Sequence, residues 1–360
     1  MSQSVKRTIL LFESSPVMSV TPASDHAVPA SRQVLAVMVM VPLLAALALW
    51  AFAWPATRTA PRDLPLGVAG PAAATAPLEQ RLASHEGAFE IHRYADEAAA
   101  RTAVGDREVY GAVVVTPQGP HLLTASAASP VVAQLLTQAV ASSSPPGAPA
   151  APVTDVVPTP AADARGAAFG ASVLPLALAG VAAGALVSLT GLRGGRAVTA
   201  VLGAAALVGL TGAALAHSWL GVLTGNWWAE AGVLALTVAA VAGGVAGLHA
   251  LLGKPGIGLG VLLVVLLGNP FSGAAGAPQL LPEPAGLVGQ WLPPGAGSSL
   301  LRSVAFFDGA GSAGPALVLS LWAVLGVTAV MVAGRRRPAP AGSTPAAQPR
   351  VAAAAPAPRP

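Results

Sequence analysis

From residue 34 to residue 333 the chain repeatedly runs for about twenty residues without a charged side chain, the length an α-helix needs to cross a bilayer. These runs occupy 34–54, 167–190, 197–217, 231–252 and 315–333, with a shorter one at 256–268. Inside hydrocarbon every backbone N–H and C=O must be satisfied within the chain, so runs of this kind are restricted to helices. The expected fold class is therefore an α-helical polytopic membrane protein of six transmembrane helices. The 256–268 helix, at roughly 20 Å of helical rise, would have to extend or thin the bilayer to cross it. Only 9% of the residues are charged, against about a quarter in a soluble domain. That shortfall excludes a purely water-soluble architecture.

The charges that remain divide by side. Lys6, Arg7, Arg32, Arg193, Arg196, Lys254, Arg335, Arg336 and Arg337 fall on one side of the expected spans. The short loops at the other ends carry Glu230, Glu283 and Asp308 against Arg302 alone. Positive residues resist translocation, so the first set is expected in the cytoplasm together with both termini, in a multi-pass cell-membrane protein. The net charge of +4 is thereby a matter of topology, and no nucleic-acid partner is expected. Cysteine is absent, which excludes disulfides and thiolate metal sites.

Six regions follow. Residues 1–33, interrupted by Pro16, Pro22 and Pro29, read as a disordered cytoplasmic leader in which Met18 is an alternative start. Residues 34–54 form the first span. Ala51-Phe-Ala53 resembles a signal cleavage site, but the apolar run is longer than a signal core, so a retained anchor is expected. Residues 55–141 hold much of the charge and read as an extracytoplasmic α/β domain of order β-α-β-α-β-β-α. Phe89-Glu-Ile-His-Arg-Tyr94 alternates as a half-buried strand does. Asp96 caps the helix after it, Pro117-Gln-Gly119 turns a hairpin, and Ser129-Pro130 opens a further helix. Residues 142–166 read as a Pro/Ala/Ser linker, 167–333 as a five-helix membrane domain, and 334–360 as a disordered cytoplasmic tail. Within the membrane domain, Gly180-xxx-Gly184 and Gly243-xxx-Gly247 are spaced for close helix contact.

The outer loop 269–314 is too apolar for an ordinary solvated connection. Two short helices turned at Pro293-Pro294 and dipping into the outer leaflet would bury it, and packing on the outer domain is the other way.

No catalytic, cofactor-binding or metal-ligating residues are assigned. Gly253-Lys254 after Gly247 echoes a phosphate-binding loop, but its spacing is one residue too long, Pro255 replaces Ser/Thr, and no strand precedes it. His85, His92 and His121 share the outer domain without ligand spacing, and a solvated role is expected of them. His249 lies within a turn of an inner helix end, where its ring reaches the interface. No carboxylate stands at mid-depth in a span, which disfavours proton-coupled carriage.

One span, an outer α/β domain and then five spans resembles the bacterial type-2 ABC exporter permeases and the related phage-infection-protein-like membrane proteins. The resemblance covers about residues 34–335. It is carried by Leu64-Pro-Leu-Gly-Val68, Asp163-Ala-Arg-Gly166, Gly268-Asn-Pro270, Leu292-Pro-Pro294 and Phe306-Phe-Asp-Gly309. It implies a homo- or heterodimeric subunit that moves a hydrophobic or amphipathic substrate outward. The driving force would come from a separate ATPase subunit, with no ATPase activity in this chain. Such permeases usually present a coupling helix between the second and third spans, and here residues 191–196 leave little to grip. The alternative is a membrane-anchored envelope binding or assembly protein without transport activity.

Overall fold

A computed structural model describes residues 30–143 and 150–335. The rest of the leader and tail, and residues 144–149 of the expected linker, lie outside the described residues. Contacts divide the chain at Leu47 into an N-terminal unit and a second unit beginning at Ala48.

Helix α1 (Ala30–Ala56) crosses that boundary, and apolar side chains from Val34 to Leu49 along it are exposed. The α/β domain follows: β1 (Leu64–Ala69), α2 (Ala72–Ala83), β2 (Phe89–Tyr94), α3 (Glu97–Gly105), β3 (Gly111–Thr116), β4 (Gly119–Thr124), α4 (Pro130–Ser143) and β5 (Val153–Asp155). The sheet order is β2-β1-β3-β4-β5, with β1 parallel to both neighbours, β3 antiparallel to β4, and β5 parallel to β4. Local chemistry sets the helix starts. The Asp96 carboxylate accepts the Ala99 N–H at 2.9 Å, and the Ser129 hydroxyl accepts that of Val132 at 3.2 Å.

Strand β5 lies in the stretch expected to be linker. Its three residues are too few for a periodic signal, and the edge of β4 supplies the pairing that makes it a strand. Asp155 then holds the loop before α4, accepting hydrogen bonds from the Ser126 N–H (3.0 Å) and hydroxyl.

Among the described residues, five helices are long and apolar enough to cross a membrane: α1 from Ser31, α5 (Ala167–Leu189), α6 (Gly194–Ala213, continued in π geometry to Trp219), α7 (Trp227–Leu252) and α11 (Ala313–Arg335). Between α7 and α11, α8 (Lys254–Val261) runs on into seven residues in π geometry, Leu262–Gly268. This continuous helix spans roughly 20 Å, short of a hydrocarbon core of about 30 Å.

Helix α7 is apolar along most of its length and buried through its middle, with α5, α6, α10 and α11 against it. Its small residues permit the approach. A Cβ on Gly184 of α5 would lie 2.6 Å from the Ala242 carbonyl oxygen, and one on Gly180 2.6 Å from Val241 Cβ. On another side, a Cβ on Gly247 would reach the Gly326 Cα of α11 at 3.0 Å. Both glycine pairs thus serve helix packing on α7.

The 269–314 loop folds as a strap followed by two helices, α9 (Ala285–Trp291) and α10 (Pro293–Phe306), with the turn at Leu292 fixed by the prolines that open α10. Most of α10 is buried, packed against α5, α7 and α11. The strap and the end of α10 pack on the α/β domain. Packing on the α/β domain, one of the two arrangements considered for this loop, is thus seen for the strap and the end of α10, while the rest of α10 packs among the long apolar helices.

Candidate functional site

The site lies at the seam between the α/β domain and the α9–α10 hairpin. Each face of the sheet has its own apolar core, and each core is completed from the 269–314 segment. On one face, Leu64, Leu66, Val113 and Leu122 pack with α4 residues Val132 and Leu136, and with Ala277 and Leu280 of the strap. On the other, Ala69, Ala112 and Val114 pack with α3 and with Phe307. The domain is gripped from both sides.

Backbone bonds extend the grip. The Ala60 N–H donates to the Leu280 carbonyl (3.1 Å) and the Arg62 N–H to that of Gln279 (2.9 Å). The Arg62 guanidinium donates to the carbonyls of Arg58, Ala60 and Leu280. From β3's entry, the Tyr110 hydroxyl donates to Gln279 Oε1 at 2.8 Å. Burial pushes the Tyr110 phenol above its ordinary range, against the pull of the cations of Arg107 and Arg302, so it stays a neutral donor.

Two arginines meet this seam from opposite sides. Arg107 follows α3 in a left-handed backbone conformation (φ 61°). Its guanidinium donates to the Ser299 carbonyl (3.1 Å) and the Ser303 hydroxyl of α10, and lies 5.2 Å from the Phe307 ring centroid. Burial lowers its pKa. Arg302, on α10, is 5% exposed, so its charge must be met inside the protein. It donates to the Ala274 carbonyl (2.9 Å) and lies 4.6 Å from the Phe169 centroid, while its Nε has no partner among the described residues. Neither arginine forms an ion pair with a carboxylate among the described residues. Phe169 is itself fixed by Asp163, whose buried carboxylate accepts the N–H groups of Ala168 (3.1 Å) and Phe169 (2.8 Å). Gln290 ties the hairpin together, donating to the Ser272 carbonyl (2.9 Å) and accepting from the Ser299 hydroxyl (2.6 Å).

A cleft of about 400 Å³ opens beside the strap, between the end of α1 and the start of α5, and a second of about 420 Å³ is lined by Arg62, Gln279 and Glu283.

Glu230, counted above as a loop charge, is fully buried in the first turn of α7. It accepts from the Gly225 N–H at 2.8 Å, and His217 Nδ1 of the π segment lies 2.8 Å from its other oxygen. Sequence reasoning misses this pair because thirteen residues and a turn separate its members. The histidine of a span's last turn, opposite the only acid of the following span's first turn, is the signal that could find it.

The histidines of the α/β domain do not meet. His92 on β2 and His121 on β4 are separated by two strands, and His121 lies 2.8 Å from the Thr154 hydroxyl of β5. His85 is exposed. Among the described residues no group of three His, Cys, Asp or Glu side chains could hold a metal. His249 lines a cavity of about 280 Å³ with Ser188, Arg193 and Gly334, which brings the α5–α6 turn and the last turns of α7 and α11 together. In comparisons with known proteins, no family model, no curated protein and no solved structure matches the chain.

Proposed function

We propose that this chain is a permease-like subunit of an export system for a hydrophobic or amphipathic substrate, driven by a separate ATPase subunit and carrying no ATPase activity itself. The observation that carries this reading is the 269–314 segment, whose α10 sits among α5, α7 and α11 while its strap and the end of α10 hold the two faces of the α/β sheet. An element bonded to both parts transmits a shift of either one to the other, as an exit gate requires. In this reading the 254–268 helix is a sixth crossing, both termini are cytoplasmic, the α/β domain is extracytoplasmic, and the chain acts as a dimer in the cell membrane. The clustering of Arg193 with the ends of α7 and α11 around one cavity supports the shared inner side.

One observation favours a second reading. Helix α5 ends at Leu189 and α6 begins at Gly194, so the intervening turn offers an ATPase no helix to hold. A membrane-anchored envelope binding or assembly protein needs none.

Affinity purification of the tagged full chain in mild detergent, followed by mass spectrometry, separates the two. Export predicts a stoichiometric ATPase. Envelope proteins recovered reproducibly without one would overturn export and leave the scaffold.

A further inference from the structure

The cleft beside the strap has two characters. Its walls are apolar, among them Phe52 and Pro55 of α1, Val131 of α4, Gly170 of α5, and Ala275 and Leu281 of the strap. Phe52 and Val131 are each 41% exposed, which leaves apolar surface open to an occupant. Its volume of about 400 Å³ lies within the range of about 300–1,000 Å³ typical of small-molecule sites. Thr59 and Asn269 also line the cleft, and the Asn269 side-chain amide has no hydrogen bond among the described residues.

The rim carries a cation without a carboxylate. Arg58 lies between the lining residues Ala56 and Thr59, is exposed, and is 6.0 Å from the Trp54 ring centroid. No ion pair among the described residues involves it. Its neighbour Arg62 is bonded to three backbone carbonyls and serves the strap instead.

Membrane depth is marked independently. Trp50 and Trp54 stack at 5.5 Å near this end of α1. Trp219, Trp228 and Trp291, all exposed, stand at the end of α6, the start of α7 and the end of α9. Tryptophan collects where hydrocarbon meets headgroups. An apolar slot at that depth, rimmed by an unpaired guanidinium, has the polarity of a lipid with an acidic headgroup.

We propose that this cleft holds an acyl chain of an acidic phospholipid from the leaflet on the side of the α/β domain, with Arg58 taking the headgroup charge. The inference needs only the membrane location and stands whether or not the chain exports anything.

The chain has no cysteine, so Ala275→Cys can be labelled with bimane in the otherwise native full chain. The labelled protein is placed in phosphatidylcholine nanodiscs containing a minority of either phosphatidylglycerol or phosphatidylcholine bearing a nitroxide on the acyl chain. Quenching should favour phosphatidylglycerol by about fivefold in apparent affinity, the equivalent of the ~1 kcal/mol a basic residue gains from an acidic lipid. Arg58→Gln should abolish the preference while leaving quenching in place. Ala56→Trp, at an exposed lining position, should reduce quenching to the bilayer average given by Leu207→Cys on the exposed face of α6. Quenching at position 275 that is absent, no stronger than at position 207, or indifferent to the headgroup in the unsubstituted background would overturn the proposal.

Discussion

Two side chains show how a charge is accommodated where water is scarce. Glu230 is fully buried, and each of its oxygens has a partner at 2.8 Å. Glu230→Ala should leave the Gly225 N–H and the His217 ring short of an acceptor and destabilise the fold by about 1–3 kcal/mol. A thermal melt in detergent would register it as a clear loss, and Glu230→Gln should recover part of that loss because an amide oxygen still accepts. Equal melts for Glu230→Ala and the native chain would show that the pair contributes nothing. Tyr110 is a milder case. Tyr110→Phe removes one hydrogen bond to Gln279 and should cost about 0.5–1.5 kcal/mol. The loss should vanish in a Gln279→Leu background, since the bond is then already gone. Asp163 acts through position rather than charge pairing: it caps α5 and orients the Phe169 ring beneath Arg302.

Among the elements, α7 is the axis of packing, and its neighbours are set by where glycine lets backbones meet. Gly184→Leu would drive a side chain into the Ala242 carbonyl 2.6 Å from the new Cβ. Overpacking of this kind costs about 1–3 kcal/mol, to be read as a lower melting temperature or loss of the monodisperse peak on size exclusion. Gly203 on α6, where a Cβ would meet nothing within 4 Å, is the control that should tolerate leucine. The 254–268 helix behaves differently. Its second half widens into π geometry, and its length leaves its polar flanks closer together than those of α5 or α11.

For the molecule as a whole, the α/β domain is not closed by its own residues. Leu280→Ala should destabilise it by about 2–5 kcal/mol and Phe307→Ala by about 3–5 kcal/mol, because each side chain completes a separate core. Both residues lie more than a hundred positions beyond the domain's last strand. Limited proteolysis of the full chain should therefore show faster cleavage between α2 and β4 in either variant, and an unchanged pattern would mean that the domain closes without the strap. An excised domain of residues 55–166 should accordingly expose apolar surface and bind a hydrophobic dye that the full chain excludes.

The apolar runs were legible in the sequence because a twenty-residue run without charge has one solution in lipid, and the five long helices appear at those runs. The strand–helix order of the domain was legible too, since period-two alternation, Asp96 and Ser129-Pro130 are local signals read by adjacent backbone groups. Strand β5 was not, because three residues become a strand only beside β4. The seam was not legible for the same reason at longer range. Nothing near Arg107 announces Ser299, and nothing near Tyr110 announces Gln279. Local periodicity decides which segments are helix, strand or span. Which of them meet is decided by complementarity between surfaces distant in the chain, and only the folded structure holds that information.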